Sequence, residues 1–203
     1  MKHQDGQWKL DSLDNVNLHI ARYSPIKGSC HIKTPTRLAN KKAIINVKNE
    51  DDRCFEYSIL ASLYPAKNNR PNRVSHYEEY LPKLKTNGIE MPMATKDIKK
   101  FEKMNPYRIN VYSCNTDGTN IQPRQLSKSR DKNKKLINLL MLTQDGKYHY
   151  TLITNLNKLL GHRGDTRLFC PFCCHGFVTK YGYNKQKLEQ HKEEFSNMKD
   201  VGG

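Results

Sequence analysis

Asn49-Glu50-Asp51-Asp52-Arg53-Cys54-Phe55-Glu56-Tyr57-Ser58-Ile59-Leu60-Ala61-Ser62-Leu63 is the stretch on which the fold turns. From residue 53 to 64 it is apolar nearly all round, the pattern of a helix buried in the middle of a domain. Pro65 ends it, because proline cannot continue the hydrogen-bond ladder. The polar run before it delivers Cys54 to the helix start. Backbone N–H groups there favour a thiolate, the attacking form of cysteine. Such a residue is either a nucleophile, which makes the chain an enzyme, or a packed core thiol, which leaves a basic binding module.

Outward from this helix, residues 18–23 and 43–47 read as short strands around a Pro- and Lys-rich connection. Ser75 with Glu78 three residues later has the form of a capping box opening a helix that Pro82 limits. A further helix is expected from Thr95 to Met104, with Ile98, Phe101 and Met104 at helical spacing. Two hairpins follow, 108–113 with 121–126 around Asp117-Gly118, and 136–143 with 147–153 around Asp145-Gly146. The basic run 127–135 reads as a solvated connection, and a short helix, 155–160, leads to a glycine-rich break at 161–164. Helices first and an antiparallel sheet after them predict an α+β domain over residues 1–165. A small Cys/His module over 166–195 and a disordered tail, 196–203, complete the expected layout.

A cysteine nucleophile needs a base and a group that orients the base. His149, early on the second strand of its hairpin, is the candidate base. Asn49, five residues before Cys54, is a candidate oxyanion donor beside the Cys54 backbone N–H. Two residues compete for the orienting role. Asn155 lies six residues past His149, roughly 20 Å along a continuing strand, and serves only if the chain reverses at Thr154. Asp165 leaves room for a turn and a return strand. Asp51 and Asp52 act against a thiolate at Cys54.

Cysteine in a buried helix, then histidine on a strand about a hundred residues later, is the papain-like chain order. Asn49-x4-Cys54-Phe55-x2-Ser58-Ile59-Leu60 resembles the cysteine box of ubiquitin-specific proteases, and His149-Tyr150 resembles their histidine box. Asp51-Asp52-Arg53 stands where those enzymes carry a Gly-Asn pair before the cysteine. A longer resemblance runs through Asn40 to Asn46, Arg73 to Tyr77, Asp97-Ile98-x2-Phe101-Glu102, Ile137 to Leu140 and His149-Tyr150-x-Leu152-Ile153-x-Asn155-Leu156. These segments, with Cys170-x2-Cys173-x-His175-Gly176-Phe177, are similar to the region preceding the family B polymerase of Polinton-type self-synthesising transposons. That resemblance implies a mobile-element origin and makes Asn155 the family's third residue. It supplies no activity.

Cys170-Pro171-Phe172-Cys173 is a knuckle whose two thiolates can bind one tetrahedral metal from a tight turn. Phe177, Leu188 and His191 follow in the order of a ββα zinc finger, predicting structural Zn2+ on Cys170, Cys173 and His191. Phe195, Ser196 and Asn197 occupy the positions where a fourth ligand belongs, leaving His162, Cys174 and His175 as substitutes.

Thirty-five Lys+Arg against 20 Asp+Glu give a formal charge of +15, which favours nucleic acid or another acidic partner without specifying sequence. Polar residues at the N-terminus and bunched cysteines read as an intracellular protein of cytoplasm or nucleus, with reduced thiols and no membrane partner. No carboxylate motif of a polymerase or exonuclease is present. The leading expectation is a papain-like cysteine protease cleaving after the terminal glycine of ubiquitin or a ubiquitin-like modifier. The alternative is a basic nucleic-acid-binding accessory domain without catalysis.

Overall fold

The computed structural model describes residues 2–4, 7–9, 31–67, 70–129, 131–162, 164, 166–178 and 183–198, with backbone alone at 2–4, 7–9, 183–185 and 195–198. The strand expected at 18–23 lies outside the described residues. A short N-terminal hairpin pairs β1 (Lys2–Gln4) with β2 (Gln7–Lys9). There follow α1 (Thr36–Lys41), a two-residue β3 (Ile44–Ile45), and α2 (Cys54–Leu63). The capping box at Ser75 does not open an α-helix. Two 3-10 segments, Val74–His76 and Glu78–Lys83, stand there without a side-chain cap. Pro82 lies inside the second and removes a donor, so the chain tightens instead of extending.

A 3-10 turn at Thr95–Asp97 leads into α3 (Ile98–Met104). Asn105 closes it, with Nδ2 donating to the carbonyls of Phe101 and Lys85 while Oδ1 accepts the Lys85 N–H. The main sheet contains β3, then β4 (Tyr107–Ser113), β5 (Gln122–Gln125), β6 (Lys135–Gln144) and β7 (Lys147–Ile153), in the order β3-β7-β6-β4-β5. Three of its pairings are antiparallel, but β4 and β6 run parallel from Tyr107↔Lys135 to Ser113↔Met141. The sheet is therefore mixed and not antiparallel as expected. The β5 hairpin fills the crossover between the two parallel strands. The Asp145-Gly146 turn has positive φ at both residues (50° and 73°), as a tight type I′ hairpin requires.

Strand alternation divides the core between the two faces. Ile109, Val111, Ile137, Leu139, Met141, Tyr150 and Leu152 pack with α2 and Phe101 of α3 on one face. Tyr112, Leu140, Leu142 and Ile153 pack with Leu38 and Leu159 on the other. Every residue of α2 from Cys54 to Ala61 is buried. The buried Ser58 hydroxyl donates to the Tyr150 carbonyl at 3.0 Å, tying helix to sheet without an unpaired donor.

The chain then forms α4 (Leu156–Leu160), β8 (Arg167–Phe169), β9 (Gly176–Val178) and α5 (Tyr183–Met198). Lys41 donates to the carbonyls of Leu159 and Gly161, a cation at the carbonyl end of α4. Helix α5 continues to Met198, past the boundary expected at residue 196. The β8–β9–α5 unit is tied to the main sheet. Tyr112 Oη and Asn110 Nδ2, both on β4, donate to the Pro171 carbonyl in its turn.

Candidate thiol site and candidate metal centre

Cys54 opens α2 at the end of a loop built by Asn49 and Asp51. Asp51 Oδ1 accepts the Arg53 backbone N–H at 3.1 Å, and Oδ2 accepts the Tyr57 hydroxyl at 3.0 Å. Asn49 Nδ2 donates to both the carbonyl and Oδ1 of Asp51. Both amide hydrogens are thereby engaged, so Asn49 shapes the loop and presents no donor toward Cys54. Its Oδ1 is buried without a hydrogen-bond partner. Asp51, read from sequence as a charge opposing the thiolate, also holds the loop that positions Cys54.

The Cys54 thiol is fully buried, and burial pushes its pKa up to about 12. The backbone N–H groups of Tyr150 and Phe55 oppose that shift, while the charges of Asp51 and Asp52 add to it. At neutral pH the group is a thiol, and a base has to take its proton before it can attack. The Tyr150 N–H that points at Sγ lies in the plane of the sheet, on the edge of β7 that β3 leaves open beyond Ile45. Sulfur thus takes the place of a neighbouring strand, directly beside the peptide that carries His149.

His149 is fully buried too. Its Nε2 lies 2.8 Å from Asn46 Oδ1, and Asn46 Nδ2 donates to the Ile32 carbonyl and to Thr34 Oγ1, each at 2.8 Å. A carbonyl can only accept, so the nitrogen end of the Asn46 amide must face Ile32, and the oxygen end must face the imidazole. The hydrogen of neutral His149 therefore sits on Nε2, leaving Nδ1 as the basic nitrogen. Asn46 is the orienting partner that the sequence reading missed. It appeared there only as part of an expected strand and of a segment carrying a resemblance, 103 positions from the histidine it touches.

Asn155 stands elsewhere. It is the N-cap of α4, its Oδ1 accepting the Lys158 N–H at 2.8 Å, so the chain reversal at Thr154 turns this side chain into a helix start. Asp165 lies outside the described residues. The structure thus gathers Cys54, the 149–150 peptide, Asn46 and the Asn49–Asp51 loop at one sheet edge.

At the second centre, Cys170 Sγ, Cys173 Sγ and a ring nitrogen of His191 all lie within 4.8 Å of one another. Tetrahedral zinc with bonds of about 2.3 Å to sulfur places its ligands about 3.8 Å apart, so the three groups fit one ion. The Phe172 N–H points at Cys170 Sγ at 3.4 Å, the support a knuckle gives a metal-bound thiolate. The Cys170 and Cys174 N–H groups hold the turn through His175 O and Cys170 O, both at 2.9 Å. Of the substitutes for a fourth ligand, Cys174 packs against the second core cluster. His175 is exposed, with its ring against Phe177. His162 is exposed and lies outside the group of three.

Comparison with family models, with characterised proteins and with solved structures finds no match to this chain. Among the described residues no helix is long and apolar enough to cross a membrane.

Proposed function

We propose that the chain is a cysteine peptidase of papain-like design that cleaves after the C-terminal glycine of ubiquitin or a ubiquitin-like modifier. The observation that carries this reading is the pairing of a helix-start cysteine with the His149 peptide, the imidazole fixed by Asn46 with Nδ1 left basic. In this reading Nδ1 takes the Cys54 proton as sulfur attacks the glycine carbonyl, and the same proton passes to the departing amine. Water then hydrolyses the thioester. The Cys54 backbone N–H supplies the oxyanion donor. The modifier class rests on the likeness of the two boxes to ubiquitin-specific proteases.

The test is intact mass after incubation with ubiquitin carrying a C-terminal thiol-reactive group. An adduct present in the native chain and absent in Cys54→Ala is the expected result. No adduct with any modifier sinks the reading.

A second reading, nucleic-acid binding, is favoured by one surface. Lys99, Lys100 and Lys103 are exposed on α3, and Lys134 reaches the Glu102 and Asn105 carbonyls at its C-terminal end. Arg108 donates to the Lys134 carbonyl, and Lys135 to Ser62 at the far end of α2 from Cys54. Retention of an oligonucleotide that weakens steeply with salt supports it; salt-independent or absent binding removes it.

A further inference from the structure

Cys54 and His149 are each 0% exposed, and a thiol that attacks a peptide carbonyl needs one open side. Beside His149, among the described residues, lies the chain's own segment from His31 to Pro35, while Cys54 itself packs within the first core cluster. The His31 N–H donates to the Asn49 carbonyl at 3.4 Å. Ile32 O and Thr34 Oγ1 both take their hydrogens from Asn46 Nδ2, the amide that orients the imidazole. The His31 ring meets the His149 ring edge-on, with centroids 5.5 Å apart. These contacts bridge the asparagine of the loop before Cys54 and the asparagine that holds the imidazole. The segment's outer side is not packed solid. A cleft of about 250 Å³ runs beside Ile32, Lys33 and Pro35, walled by Asn115, Thr116 and Leu142.

We infer that residues 31–34 form a strap that closes the thiol site from within the chain and lies where an extended substrate's main chain would run. An incoming peptide offers the same groups in the same order, an N–H for the Asn49 carbonyl and a C=O for Asn46 Nδ2. Occupation by the strap and by substrate are therefore mutually exclusive. The closure itself stands on these contacts alone; the identity of the strap's site with the substrate's rests on the peptidase reading. Three hydrogen bonds, one ring contact and the buried Ile32 side chain hold the strap, few enough ties to open locally while the sheet stays folded.

The experiment follows iodoacetamide labelling of Cys54 by peptide mass in the full chain, comparing native protein, Thr34→Ala and His31→Ala/Thr34→Ala. Amide exchange of β6 is read in parallel. The expected result is a stepwise rise in Cys54 labelling, roughly tenfold in the double variant, with β6 exchange unchanged. Unchanged labelling in a chain that melts as the native protein does overturns the strap. A parallel rise in β6 exchange also overturns it, because opening is then global. The modifier probe separates the two readings. Faster labelling with no ubiquitin adduct in any variant keeps the strap and removes the peptidase; faster labelling with a faster adduct supports both.

Discussion

Two cysteines in this chain, Cys54 and Cys170, are each backed by backbone N–H groups, and they differ in what faces the other side of the sulfur. At Cys170 the N–H groups of Phe172 and Cys173 support a thiol that faces a second thiol and an imidazole. At Cys54 the N–H groups of Phe55 and Tyr150 support a thiol closed in by core, with one histidine on the adjoining peptide. The backbone device is shared. Convergence of two thiols and an imidazole gives the first a group that could hold a metal ion, and the second has no such convergence among the described residues. An N–H pair at a cysteine thus says that sulfur is held and does not say for what.

Metal removal is the harshest way to break the comparison. A strong chelator, or Cys173→Ser, is expected to strip about one zinc per chain and unfold the β8–β9–α5 unit at a cost of several kcal/mol. Metal analysis with a thermal melt checks this, while Cys54→Ser leaves metal content unchanged.

Alkaline pH sharpens the other half. The folded Cys54 thiol is raised from an ordinary 9.0 to about 12, so the unfolded chain releases its proton first. The stabilising contribution is whole below about pH 9 and lost as pH climbs through 12, on the order of 2–4 kcal/mol. Denaturant titrations of native chain and Cys54→Ala across that window should converge as pH rises.

Asn46→Ala frees the imidazole to rotate, and should slow formation of the modifier adduct by about 10- to 100-fold at unchanged metal content. Asn46→Asp places a carboxylate on Nε2, which raises the histidine pKa and moves the acid limb of the adduct rate to higher pH. If neither variant changes the rate, Asn46 is a structural amide alone. The smallest effects are structural. Tyr112→Phe removes one tie to the Pro171 carbonyl, and Asn155→Ala the cap of α4, each costing about 1 kcal/mol in a melt. The second leaves the adduct rate untouched, which separates Asn155 from the orienting role.

Local chemistry made much of this legible. An apolar run between a polar loop and Pro65 gave α2, Asp145-Gly146 gave its hairpin, and Cys-x2-Cys with a later helical histidine gave the gathering of Cys170, Cys173 and His191. What escaped depends on distant partners. Nothing near Tyr107 announces parallel pairing with Lys135, because that register is decided across an intervening hairpin. Ser75-x2-Glu78 had the letters of a cap but not the helix behind it. Asn46 is one polar residue just past a two-residue strand, and its role exists only once β7 lies alongside. Asn155 shows the reverse, since a residue singled out by a resemblance can spend its side chain on the nearest helix.

The wiring of Asn46 carries one more consequence. An amide has two unlike ends, and here the chain before it dictates which end is which. A flip would set Oδ1 against the Ile32 carbonyl, lone pair against lone pair, and leave His149 Nε2 facing a donor. While those contacts last, the neutral imidazole has one polarity, with its hydrogen on Nε2 and its lone pair on Nδ1. The direction in which a proton can travel at His149 is thus stored as a single binary setting, written by residues near the start of the chain and read out on its seventh strand.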